Sequence, residues 1–366
     1  MAIKNALLGL ILSTLLIPFS LSHAATYDVL KLPSAPTQFA ARAPLFVIKK
    51  FGDRYFAAGD RGHIIYSDDG GKTWTQAEVP VRSTLLDIDF ATPEIGWAVG
   101  HEGVILHTAD GGKTWDLQYD GLRYGEEGLA YYTKLAEEHP DDEIYDYLIG
   151  EMEFAISQGA DKPLFRVAAH DENYVHAIGA YGMLMATFDG GKTWVHRLES
   201  AENDSFNHLF DYAPLPEPGR FFMVGEAGLF LIGDISSPDI SERRSTRVHS
   251  VPWEGSFFAT AAASDGAIVM GGLRGRMFRT TTEGETWTVV EKPATTAIDA
   301  MIRLDDGTLV AAGVGGEILV SIDDGVSFNL DPASGSVGPI FDLAQGKGDA
   351  LLIAGPKGIK SVTLAQ

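Results

Sequence analysis

Seven times along the chain a pair of glycines three residues apart opens a short, mostly apolar run: Gly59/Gly62, Gly100/Gly103, Gly179/Gly182, Gly225/Gly228, Gly272/Gly275, Gly313/Gly316 and Gly355/Gly358. In five of the seven units a version of one eight-residue phrase follows, clearest as Ser67-Asp68-Asp69-Gly70-Gly71-Lys72-Thr73-Trp74. It recurs at residues 108–115 and 187–194, and in weaker form at 280–287 and 321–328. A unit returning every ~40 to 50 residues marks an array of supersecondary units, none of which buries its apolar faces alone.

The second unit shows what each contains. Leu85-Leu86-Asp87-Ile88-Asp89-Phe90, Gly96-Trp97-Ala98-Val99, Val104-Ile105-Leu106-His107 and Trp115-Asp116-Leu117-Gln118 are runs rich in Val, Ile, Leu, Phe and Trp, separated by Gly, Pro and Asp turns. They read as four antiparallel strands. Stacking such sheets radially hides both faces of each, which predicts an all-β, seven-bladed β-propeller. The last unit offers only three strands before the sequence stops, and residues 27–33 resemble the strand that follows each Trp. The N-terminal strand is therefore expected to complete the last blade and close the ring, removing an open edge.

Residues 1–25 carry a lone Lys4, an apolar run from Ala6 to Leu21 and then Ser22-His23-Ala24-Ala25. A short apolar run with a small-residue exit is the pattern of a secretory leader, so residues 26–366 are expected to be a periplasmic, exported domain. The absence of cysteine excludes disulfides, thiolate metal sites and Cys nucleophiles. Net charge is −22, and losing the single basic residue Lys4 makes it −23. Such a surface repels phosphate backbones, so nucleic acid is a poor partner.

The repeated phrase has a mechanical explanation. Asp69, Asp110, Asp189 and Asp323 are placed to accept hydrogen bonds from turn amides, and Trp74, Trp115, Trp194 and Trp287 supply apolar plugs expected to sit beside the next blade. One or two carboxylates per phrase are too few for a calcium loop, and the spacing is not that of a phosphate loop, so neither metal nor cofactor is expected. These phrases are Asp-box repeats, and with the Gly-x-x-Gly turns, the leader and the count of seven the chain resembles the photosystem II stability and assembly factor family over nearly its whole mature length. That resemblance implies a non-catalytic lumenal or periplasmic propeller that holds a membrane-protein precursor or other envelope protein during assembly.

If the first strand of each blade descends from the top, the Asp boxes lie below and the glycine tips above. Candidate partner-binding residues on the top are the tip residues His101, Tyr181 and Arg274 and the link residues Arg42, Arg82 and Arg166. Aligning the inner strands on Asp87 places Val47, Arg166, Asp211, Ala259, Asp299 and Asp342 in one column, read as a solvated channel wall or, failing that, a receptor for a cationic segment. Between the second and third units the glycine-pair spacing jumps from 41 to 79 residues. The excess, residues 120–160, predicts two amphipathic helices over 126–139 and 141–157 on the top face, with Tyr131, Tyr132 and Tyr145 as a candidate docking surface. The alternative is a sialidase-like glycoside hydrolase at the mouth, using arginines and a carboxylate pair. Against it, the Phe-Arg-Ile-Pro start of sialidases is missing, with Phe39-Ala40-Ala41-Arg42-Ala43-Pro44 the nearest string.

Overall fold

A computed structural model describes residues 28–291 and 294–365. Each glycine-pair unit folds into one antiparallel meander, and the sheets span residues 45–76, 85–119, 164–196, 209–247, 257–290, 300–330 and 342–363. The first six have four strands; the seventh has three among the described residues. The inner strands, Leu45–Phe51, Leu85–Phe90, Leu164–Ala169, Leu209–Pro214, Phe257–Ala262, Ala300–Arg303 and Asp342–Gln345, lie side by side in chain order, and the seventh lies against the first. The sheets are thus the blades of a seven-sheet β-propeller.

Apolar packing follows the same division, with one cluster of buried side chains for each pair of adjoining blades. Val47, Phe56, Ile88 and Trp115 fill the contact of the first and second blades, and Leu45, Ile48 and Tyr55 meet Ala344 and Leu352 between the first and seventh. The plug residues face the preceding blade, not the next: Trp287 of the fifth blade sits edge-on to Phe230 of the fourth at 5.2 Å. The reason is the meander itself, which brings the turn before the fourth strand back over the side already packed.

The glycine pairs answer two separate constraints. A Cβ on Gly100 would stand 2.1 Å from the carbonyl oxygen of Thr84, where the inner strand begins. Gly103 has φ +63°, a conformation that side chains resist. The first glycine therefore permits a close backbone approach, and the second permits the turn.

Residues 28–33 do not supply the expected fourth strand of the last blade. They turn along the link between the first and second blades, where Val29 accepts from the Arg82 amide at 2.7 Å and the Ser34 amide donates to Val79 at 2.9 Å. Asp28 accepts from the Leu30 amide at 3.1 Å and Leu30 packs onto the cluster between those blades, so local turn chemistry and burial both oppose an extended strand. Tyr27 and the leader lie outside the described residues. The first and seventh blades meet instead through the Ile48 amide on Asp342 Oδ2 at 2.8 Å, the Tyr55 hydroxyl on the Gln345 carbonyl at 2.9 Å and the Leu45 amide on the Gly355 carbonyl at 3.1 Å.

The insertion forms two helices, α1 (Gly121–Glu138) and α2 (Ile144–Gln158). α1 starts earlier than its apolar stripe predicts because Asp120 caps it, accepting from the Leu122 and Arg123 amides at 3.0 and 3.1 Å. Close packing between the helices depends on small residues: a Cβ on Gly128 would meet Met152 Sδ at 2.3 Å and the His196 ring at 2.6 Å. The hairpin begins at the tip face, where Gly121 touches the Glu102 carbonyl, and then crosses the outer edge of the third blade, with Gly128 on His196 and the Tyr132 hydroxyl bonded to the Leu198 amide. It is not confined to the top face as expected, because its apolar side, Tyr132, Leu148, Met152 and Ala155, is drawn down onto Trp97 and Trp194.

Candidate binding face

Where five of the seven inner strands start, the ladder slips by one residue: between Leu45 and Val47, Leu85 and Asp87, Leu209 and Asp211, and Phe257 and Ala259, with the matching slip at Gly179 in the third blade. A bulge turns the extra residue out of the sheet. Those residues are Phe46, Leu86, Phe165, Phe210 and Phe258; Asp299 and Phe341 are their positional counterparts in the sixth and seventh blades, and all seven are half-buried. Phe46 stacks on Phe341 at 5.2 Å, while Phe165, Phe210 and Phe258 form a run with ring spacings of 5.4 and 5.1 Å. The mouth of the propeller therefore carries a hoop of six apolar side chains and one carboxylate. Exposed tip residues widen it: Tyr181 is 54% exposed, Val314 45% and Leu273 42%.

Beneath the hoop the aspartate column behaves differently from a solvated wall. Asp87 is fully buried, and Asp211 and Asp342 nearly so. Each reaches across to the next inner strand: Asp87 Oδ2 accepts from the Val167 amide at 3.0 Å, Asp211 Oδ2 from Thr260 at 2.8 Å, and Asp342 Oδ2 from Ile48 at 2.8 Å. Lys49 Nζ meets Asp87 at 2.7 Å and Arg166 Nε meets Asp211 at 2.8 Å, so the cations are committed as well. Burial pushes the Asp342 carboxyl up to about 6 against the opposing pull of Arg166 and Lys49. These groups bridge blades and line a channel of about 640 Å³.

Asp299 does not belong to that column. Ala300 pairs with Ala312 as Asp342 pairs with Ala354, so Asp299 occupies the bulge position, and its Oδ2 accepts from the Val314 amide at 3.2 Å. The column is set by the residue paired with the one before the first glycine, and in the sixth blade Ala312 makes that residue Ala300.

The other sequence candidates are dispersed. Arg42, His101 and Arg274 are exposed on the tip face. Arg82 is held by the Pro33 carbonyl at 2.8 Å, and Tyr181 lies edge-on to His208 at 5.0 Å. Tyr132 and Tyr145 are buried in the cluster under the helices, so neither is an open docking residue; Tyr131 is half-buried beside them. The hydrolase constellation does not assemble: Arg123 binds Glu127 and the Gln118 carbonyl, Arg166 binds Asp211, and Arg82 binds Pro33. The hoop itself was missed, although Leu45-Phe46, Leu164-Phe165, Leu209-Phe210, Phe257-Phe258 and Ile340-Phe341 repeat an apolar pair whose second member a regular strand would have turned away from the core.

The Asp boxes are structural turns. Asp110 Oδ1 accepts from the Thr108 hydroxyl at 2.9 Å and from the Lys113 and Thr114 amides at 3.0 Å each, Oδ2 takes the Thr114 hydroxyl at 2.7 Å, and Trp115 Nε1 donates to the Gly112 carbonyl at 3.1 Å. Asp69, Asp189 and Asp323 repeat the pattern. In Asp69 the hydrogen bonds from Thr73 and Ser67 hold the carboxyl well below its usual range.

A propeller whose boxes are internally satisfied and whose opposite mouth presents half-exposed aromatic rings is a binding scaffold. The chain belongs to the photosynthesis system II assembly factor YCF48 family, whose model matches residues 70–145 and 154–328. Comparison with curated proteins gives no match. Among solved structures, YCF48 bound to a D1 peptide is similar at 16% identity and a TM-score of 0.63, covering 90% of this chain and 96% of that one. YCF48 from Cyanidioschyzon merolae is similar at 18% identity and 0.61, covering 88% and 96%. The WD40 β-propeller domain of Doa1 is similar at 9% identity and 0.59, covering 93% and 98%. At these identities the likeness shows the fold alone.

Proposed function

We propose that this protein is an exported, non-catalytic propeller that holds a segment of a membrane or envelope protein against its tip face during assembly. The observation that carries the reading is the hoop at the bulge positions, where rings that the fold could bury are left half-open on one face. Isolated exposed apolar residues are ordinary, but six apolar side chains gathered around a concave mouth mark an interaction site. The family supports a role in assembly, and the relative solved with a D1 peptide supports a protein segment as the bound species. Leader and charge support a periplasmic location after cleavage near Ala25.

A photo-crosslinking amino acid at Phe210, on the hoop, and at Val289, which is 55% exposed on the fifth blade's outer strand, separates the faces in intact cells. The expected result is one dominant adduct from position 210 that is missing from position 289, carried by an integral membrane or envelope protein. Indistinguishable adducts from the two positions would remove the tip face from the mechanism.

A further inference from the structure

The chain departs from its own repeat in several places, and the structure brings two of them together. One is the helical insertion after the second blade; the other is the fourth blade, where the Asp box is replaced by Gly233-Asp234-Ile235-Ser236-Ser237-Pro238 and the turn at Ile240–Glu242. They face each other across Arg197 and Glu199 and enclose a cleft of about 1000 Å³ on the flank of the propeller, away from the mouth. Nothing in the repeat requires this meeting, since the other blades pack without it.

The cleft has an apolar wall and an acidic rim. Tyr131, Leu135 and Ile240 supply ring and aliphatic surface, and Ile240 is 37% exposed. Carboxylates come from Glu138, Asp141 and Asp142 at the helix junction, Asp239 opposite and Glu199 on the floor. Lining cations are fewer: Arg197 and Arg244. Of these, Arg197 is occupied, donating to the Ile240 carbonyl at 3.1 Å and to the Arg243 carbonyl at 2.9 Å while its Nε stands 3.7 Å from Glu199. Glu199 itself is loosely held, by the Tyr131 and Tyr132 hydroxyls at 3.3 and 3.2 Å.

We propose that this cleft receives a lysine or arginine side chain of a protein partner, its aliphatic stem on Tyr131, Leu135 and Ile240 and its charge between Glu199, Asp142 and Asp239. Long cationic side chains combine an apolar stem with a charged head, which is the pattern of the lining. A carboxylate surplus in a half-enclosed cleft repels acidic segments while attracting basic ones. The proposal rests on the protein-binding reading above but uses a different part of the surface, so the two fail separately.

The test uses the purified full chain with tetra-arginine and tetra-glutamate peptides as probes, followed by calorimetry. Tetra-arginine is expected to bind and tetra-glutamate not to. Asp142→Asn combined with Asp239→Asn, which keeps the local amide caps, should weaken tetra-arginine about tenfold, and Glu199→Gln should weaken it further. Glu285→Gln, an exposed acid of the fifth blade, and Phe210→Ser at the mouth should both leave that affinity unchanged. Equal losses from Glu285→Gln would show diffuse attraction and overturn the proposal, as would an unaltered affinity in the Asp142/Asp239 pair. In cells, a photo-crosslinker at Ile240 should attach to a partner peptide bearing Lys or Arg near the linked residue; an adduct with none overturns it.

Discussion

The two ends of each blade are built on opposite terms. At the box end, Asp110 and its turn satisfy one another, and four of the five boxes share the bond from the later Thr or Ser amide to the aspartate. At the tip end only the two glycines recur, while the second residue between them is Arg61, Glu102, Tyr181, Ala227 or Arg274 in the first five blades, each at a φ of 53° to 58°. The fifth blade shows how far the box end tolerates change: Thr282 stands where Asp belongs and keeps the Thr286 amide at 2.9 Å and the Thr286 hydroxyl at 2.9 Å. The repeat therefore fixes side chains where the fold needs them and fixes only backbone where it does not, which leaves the tips and bulges free to carry recognition.

The strongest way to break this contrast is to remove a plug. Trp115 is 4% exposed between the first two blades, so Trp115→Ala should destabilise by about 3 to 5 kcal/mol. Chemical denaturation would measure it, and a loss under about 1 kcal/mol would mean the boxes are not part of the core. A pH effect comes next. His170 Nε2 and His176 Nδ1 lie 2.8 Å apart at the box end of the third blade, and burial pushes His170 down to about 4. A histidine depressed in the fold takes up its proton more readily when unfolded, so its stability contribution is present above about pH 6.5 and is lost as pH falls towards 4, by up to about 3 kcal/mol. Burial raises Asp342 and gives the opposite slope. The difference between wild type and His170→Gln cancels the aspartate, and it should shrink across that window; a constant difference would remove the histidine pair from the acid response. Smaller again is Asp110→Ala, which leaves two turn amides and two hydroxyls without their acceptor at a partly solvated site and should cost about 1 to 2 kcal/mol in the same denaturation experiment.

What the sequence disclosed follows the same division. Glycine pairs and Asp boxes are local, so their spacing gave the seven sheets, the four-strand meander and the two helices. Features that depend on register or on distant segments were hidden. The pairing register at the start of the inner strands took Asp299 out of the column assigned to it and set five phenylalanines at the mouth. Burial converted Asp87, Asp211 and Asp342 from a solvated ring into bridges between blades. The turn of Asp28 over Leu30 set residues 28–33 against the first blade, and the flank cleft needed residues 131–145 to meet 239–244, a neighbourhood that no periodicity announces.

The smallest expected change in stability sharpens the comparison most. Phe210 is half-buried, its ring touching Phe165 and Phe258 rather than a filled core. Phe210→Ser should therefore lower stability by less than about 1 kcal/mol, while crosslinking to the partner proposed above falls sharply. Trp115→Ala should do the reverse, lowering stability while the fraction still folded binds normally, because the plug lies under the boxes and never meets the partner. If Phe210→Ser unfolded the chain as readily as Trp115→Ala, the hoop would belong to the core, and the tip face would have to be reread as framework like the boxes opposite it.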